Sequence, residues 1–257
     1  MWSTRIGAIA LAGAAGLGLA GQTVLAQTPP EADRWQFTVA PYIWATGLDG
    51  TVATIDGAPP VDVGLSFADV LEDLEFAGFV LGEARKGLWS VRGDIAYSLT
   101  RADEGVADPS IDSASLRTQI FTGTLLGGYT FYQDARLSVD ANAGVRIWSV
   151  ESDISLEAGG VELATADGED SWVDPLLGVT AQARLSERLQ LIAAGTVGGF
   201  GIGADLDWGI TVGASYAFTD LIALAIGWRH LQVDYDNDGF VFDATQSGPL
   251  VGLAFRF

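Results

Sequence analysis

The last ten residues, Gly248–Phe257, read GPLVGLAFRF. Val251, Leu253, Phe255 and Phe257 fall on one face of an extended chain, and Leu250, Gly252, Ala254 and Arg256 on the other. A period of two is the mark of a strand whose two sides meet different surroundings. The apolar face runs to a terminal phenylalanine, which is unusual for a buried strand of a soluble domain.

The same alternation recurs upstream. In WGITVGASYAF, Trp208, Ile210, Val212, Ala214, Tyr216 and Phe218 oppose Gly209, Thr211, Gly213, Ser215 and Ala217. In WVDPLLGVTAQARL, Val173, Leu177, Val179, Ala181 and Ala183 oppose Asp174, Thr180, Gln182 and Arg184. LSVDANAGVRIW sets Leu137, Val139, Ala141, Val145 and Ile147 against Asp140, Asn142 and Arg146. WSVRGDIAYSL sets Val91, Ile95, Tyr97 and Leu99 against Arg92, Asp94 and Ser98. The segments between strands alternate in kind. RKGLW, YQDARL, LSERLQ and FTDLI are short, whereas 47–74, 101–115, 152–171, GADLD and DYDNDG are long or acidic. Short turns on one side and acidic loops on the other are the topology of a transmembrane up-and-down antiparallel β-barrel. Ten strands are expected, roughly 35–46, 75–86, 89–100, 116–132, 137–151, 172–185, 189–203, 207–218, 222–233 and 240–257, with eight or twelve as alternatives. Closure removes the unpaired edges that lipid does not tolerate.

Residues 1–26 read as a cleaved signal peptide: Arg5, then IGAIALAGAAGLGLAG, then a small-residue site ending at Ala26. The barrel domain is expected over 27–257, exported to the outer membrane of the cell. The chain has no cysteine, which excludes disulfide scaffolds and thiolate metal sites. Its net charge is −20 and its only lysine is Lys86, so nucleic-acid binding is excluded. The acids crowd the expected outer loops, while Arg34, Arg85, Lys86, Arg136 and Arg188 lie at the opposite end. The outer rim reads as a solvated acidic crown; divalent cations bridging it to lipopolysaccharide is the sharper alternative. Trp35, Trp89, Tyr129, Phe131, Phe218 and Phe257 at the turn side are expected to form one interfacial aromatic girdle. Trp44, Trp148, Trp172 and Trp208 at the loop side are expected to form the other.

Taken together, WQFTVAPYIWATGLDG, WVDP, GGFGIG, GWRHLQVDYD and GPLVGLAFRF resemble small outer-membrane β-barrel proteins of Gram-negative bacteria, the OmpA- and OmpW-like members of the porin-like superfamily. The resemblance covers essentially all of 27–257. It implies the barrel fold and the outer-membrane location. It reads Val251, Leu253, Phe255 and Phe257 as a C-terminal signal for the barrel-insertion machinery, and it implies no reaction.

Strand parity points Glu83, Arg85, Arg92, Asp94, Asp140, Arg146, Asp174, Arg184 and Arg229 into the lumen, as a charge network filling a narrow interior. The expected function is an envelope component with a mostly closed lumen, structural or passing small solutes to a limited extent. An outer-membrane hydrolase or lipid A-modifying enzyme, and a barrel whose surface loops bind a ligand or partner, are the alternatives. An enzyme would need convergent acid–base groups near the outer rim. The one histidine, His230, is sent by parity toward lipid or the interface, and no nucleophile motif occurs, so no catalytic residue and no cofactor are assigned. Asp205 and Asp207 read as polar residues of a tight hairpin. Asp234, Asp236 and Asp238 mimic the start of a calcium loop, but Thr245 stands where that loop needs glutamate. VDYDNDGFVFD is therefore a hairpin tip and at most a weak divalent site. In SFADVLEDLEF, Phe67, Val70, Leu71 and Leu74 are spaced as one helical face behind a Ser66 cap. This short amphipathic helix would cap or plug the mouth.

Overall fold

The computed structural model describes residues 34–55, 59–104, 113–158 and 161–257. The leader and the acids Asp56, Asp108 and Asp112 lie outside the described residues. The elements in order are β1 (Gln36–Trp44), β2 (Leu48–Ala53), β3 (Val61–Leu65), α1 (Phe67–Glu72), β4 (Leu74–Lys86), β5 (Trp89–Glu104), β6 (Ser113–Gln133), β7 (Leu137–Ala158), β8 (Val161–Arg184), β9 (Leu189–Gly199), β10 (Leu206–Ala217), β11 (Ile222–Asn237) and β12 (Phe240–Arg256). Ten of the strands form an antiparallel barrel in the order β1, then β4 through β12, which β1 closes by pairing with β12. The seam runs from Trp44 opposite Leu250 to Thr38 opposite Arg256. Its last turn is held by reciprocal backbone bonds between Phe37 and Phe257, at 3.2 and 2.9 Å.

The outer wall is apolar where a soluble protein would be polar. Val80, Val91, Ile95, Leu125, Val179, Val212 and Ile226 all lie exposed on it. Such a band is costly against water and favourable against hydrocarbon. Near the short turns, Trp35, Trp89, Tyr129, Phe131, Phe218 and Phe257 are exposed, as expected of a girdle.

Several expectations need correction. The segment 47–74 carries the helix, and also two strands outside the barrel. β2 takes over from β1 along the upper edge of β12, pairing Asp49 with Thr245 and Ala53 with Val241, and β3 pairs with β2. In segments 101–115 and 152–171 the described residues, 101–104, 113–115, 152–158 and 161–171, are strand: β6, β7 and β8 run to 21, 22 and 24 residues. A tilted strand needs about 9–11 residues to cross a bilayer, so these three overshoot into an outer sheet. Asp153, Asp167, Glu169 and Asp170 there are polar positions on paired strands, which is why composition alone made them look like loops. Finally, Trp44, Trp148 and Trp172 do not join a lipid-facing girdle. They are 5%, 1% and 6% exposed and point into the lumen, because Trp148 and Trp172 share parity with the inward charges of their strands and Trp44 with the inward Tyr42. Only Trp208 of that group faces outward.

Candidate functional site

Inward positions build two layers across the lumen. The layer nearer the short turns uses Glu83 and Arg85 of β4, Arg92 of β5 and Asp140 of β7. Arg85 Nη2 and Arg92 Nη2 both donate to Asp140 Oδ2, at 2.5 and 2.7 Å. Arg85 Nε and Arg92 Nε donate to the two oxygens of Glu83, at 3.0 and 2.6 Å. Thr130 Oγ1 donates to Asp140 Oδ1 at 2.7 Å. Arg92 Nη1 reaches Thr180 Oγ1 at 2.9 Å and Asn142 Oδ1 at 3.2 Å. Two cations and two anions from strands on several sides of the barrel are thus tied together with their polar atoms satisfied.

The outer layer is drier. Arg229 Nη1 donates to Asp94 Oδ2 at 2.7 Å and to Tyr42 Oη at 2.8 Å, and Tyr42 donates to Asp94 Oδ1 at 2.7 Å. The guanidinium lies 4.7 Å from the centre of the Trp44 ring, in cation–π contact. Arg146 pairs with Asp207, which also accepts from Trp148 Nε1 at 2.9 Å. Asp174 accepts from Trp172 Nε1 at 3.1 Å and from the Ala204 N–H at 2.7 Å. That last contact requires the β9–β10 loop to dip into the mouth. Gly203 makes this possible, since a Cβ there would stand 2.5 Å from Asp174 Oδ1. Above these charges lies an aromatic cluster, with Trp172 stacked on Tyr235 at 3.8 Å and Phe242 against Trp148 and Trp172.

Of the nine charges assigned to the lumen by parity, eight fall in these two layers. Arg184 stands apart, in a polar cavity of about 300 Å³ at the short-turn mouth with Arg188 and Arg256. Sequence reasoning missed Asp207, Tyr42 and the three tryptophans. Asp207 was read as a hairpin acid, yet it is 0% exposed. The alternation through Gly209 and Thr211 already placed it on the inward face. His230 lies outside the barrel against Trp208, ring centres 4.7 Å apart. In the last outer hairpin, Asp238 and Gly239 take φ of 48° and 94° and join Asn237 to Phe240, a two-residue reversal suited to the strand twist. Asp234 and Asp236 point away from the lumen, and among the described residues no group of three or more acidic, histidine or cysteine side chains is placed to hold a metal. Partial burial and the nearby Asp243, Asp205 and Asp236 push the Asp234 carboxyl above its ordinary range. Val251, Leu253 and Phe257 project from the outer wall, with Phe255 half-buried on the same face.

Between the aromatic cluster and the first outer loop lies a cavity of about 180 Å³. Trp44 and Phe242 belong both to it and to the aromatic cluster. Ala77, Phe79, Ala96 and Ile120 line the barrel side, and Phe67, Val70 and Leu71 of α1 line the outer side. The helix carries a capping box: Ser66 Oγ accepts from the Asp69 N–H, and Asp69 accepts from the Ser66 N–H at 2.8 Å. The Ser66 hydroxyl and the Ser66 backbone N–H hold the Asp69 carboxyl below its ordinary range.

No protein-family model matches the chain, and no curated protein does. Among solved structures, the outer membrane protease OmpT from Escherichia coli superposes with a TM-score of 0.51 at 11% identity, covering 88% of this chain and 98% of that one. The translocator domain of the autotransporter NalP from Neisseria meningitidis aligns at 0.43 and 9% identity, over 86% and 88% of the two chains. Neisserial surface protein A aligns at 0.36 and 12%, over 88% and 100%. At such identities the likeness is one of fold: this chain has the fold of an outer-membrane β-barrel.

Proposed function

We propose that the protein is an outer-membrane envelope barrel whose lumen is sealed, rather than an open pore or a hydrolase. The observation that carries this reading is the pair of side-chain layers. Arg85 and Arg92 reach Asp140 across the periplasmic half, and Arg146 with Asp207 lies beneath the aromatic cluster in the outer half. A barrel of about this size has an interior that side chains can fill. Location in the outer membrane is supported by the apolar outer wall and the exposed aromatic girdle. The non-enzymatic reading is supported by His230, which stands against Trp208 on the outside, away from the buried acids. Divalent bridging of the acidic rim to lipopolysaccharide, and recognition of the C-terminal strand by the insertion machinery, are extensions of the same reading.

Conductance tests it. Purified barrel in planar bilayers is expected to give no long-lived large openings, and deleting 66–73 to leave the baseline unchanged, because the seal lies below α1. Stable, large, ohmic channels from the intact protein would overturn the reading.

A further inference from the structure

We infer that the cavity under the first outer loop is a binding site for a compact, neutral, apolar molecule of about one ring in size. Three observations point there. The first is chemistry: the lining side chains are mostly aliphatic and aromatic, and Asp73 is the only charged residue among them. Apart from threonines, Ser98, Gln246 and Asp73, its walls are apolar, so an apolar molecule makes contacts there that water cannot.

The second is size. About 180 Å³ slightly exceeds the roughly 150 Å³ of apolar cavities known to take up benzene. A folded multi-ring ligand or a whole lipid does not fit without moving the wall.

The third is the lid. The helix α1 buries none of its own residues, and Phe67 and Leu71 stay 41% and 53% exposed although their face borders the cavity. A structural plug of this length would be expected to bury that stripe. Instead the capping box fixes the helix from its N-terminus while its apolar side is left incompletely packed, so a molecule in the cavity supplies the missing contacts. The floor is rigid by contrast, since Trp44 is held over Arg229 and Phe242 is packed on Trp148 and Trp172. The site is then a fixed aromatic floor under a weakly anchored lid, a form suited to admitting a small apolar ligand from the outer side.

The test uses the full barrel in detergent-free lipid nanodiscs, because detergent tails would compete for the cavity. Fluorobenzene is titrated and followed by fluorine NMR, with empty nanodiscs measured alongside for lipid partitioning. Saturable binding beyond partitioning is expected, with 4-fluorobenzoate binding at least tenfold more weakly because no cation lines the site. Ala96→Phe and the milder Ala102→Leu, which fill the cavity from β5, are each expected to weaken fluorobenzene binding at least tenfold. Heat-modifiable migration on gels shows that each variant is still a folded barrel. Uptake that never saturates, equal binding of the carboxylate, or binding unchanged in a folded filled variant overturns the inference. The conductance result is independent of it, since the seal lies beneath the cavity.

Discussion

The two halves of the lumen solve the same problem with opposite chemistry. Both must fill a narrow interior from inward positions of strands that alternate every second residue. The half nearer the short turns does so with an ionic lattice in which Arg85 and Arg92 keep 19% and 13% side-chain exposure and share two carboxylates. The outer half buries the Arg146–Asp207 pair under aromatic rings, at 4% and 0%. A charge near water with two partners tolerates the loss of one. A fully desolvated charge with one oppositely charged partner does not, because the desolvation cost remains while its compensation is gone. The outer half should therefore be the brittle one, although its rings make it look like an ordinary apolar core.

The sharpest way to break this comparison is Asp207→Asn. It keeps the shape and the Trp148 hydrogen bond but strands the Arg146 guanidinium, so a loss of about 3–5 kcal/mol is expected in reversible urea unfolding from lipid vesicles. A loss under about 1 kcal/mol would mean that the outer pair is solvated after all. Asp140→Asn should cost less, about 1–3 kcal/mol, because Glu83 still binds both arginines. Finding the two variants reversed in order would refute the contrast between the layers.

The smallest effect belongs to a third setting, the water-exposed turn between β6 and β7. There Asp134 Oδ1 accepts from the backbone N–H groups of Arg136 and Leu137, at 2.7 and 2.8 Å. Those bonds, with a further one from Tyr132, hold its carboxyl below the ordinary range. A depressed carboxyl stabilises the turn fully above its unfolded pKa, and that contribution fades as pH falls through the lowered folded value. The fluctuation-free fraction of the turn, read from hydrogen exchange at Arg136 and Leu137 and corrected for intrinsic rates, should drop only in that acid window. Asp134→Asn should remove the dependence.

How much of this was legible in the sequence differs by element. Parity along WVDPLLGVTAQARL and LSVDANAGVRIW correctly separated wall from lumen, because which side a residue takes is a local property of an extended chain. The turn at Asp238–Gly239 was legible for the same reason: its residue types tolerate the positive φ that the reversal needs. Asp207 and the three inward tryptophans were misread because residue type was allowed to outweigh parity, acids being assigned to loops and tryptophans to the interface. The strands β2 and β3 were missed because they are short, and their pairing depends on the upper edge of β12 being free to receive them.

The sequence by itself determined the barrel: alternating faces, short turns opposite acidic segments and aromatic strand ends each follow from a few neighbouring residues. Only the tertiary structure decided who meets whom inside. Arg146 reaches Asp207 across 61 positions of chain, and Arg229 reaches Tyr42 across 187. Those partnerships depend on how many strands close and in what register. The cavity likewise exists only because the first outer loop folds back over a mouth already closed by the aromatic cluster. Local pattern sets the direction of each side chain, and closure sets what that side chain finds there.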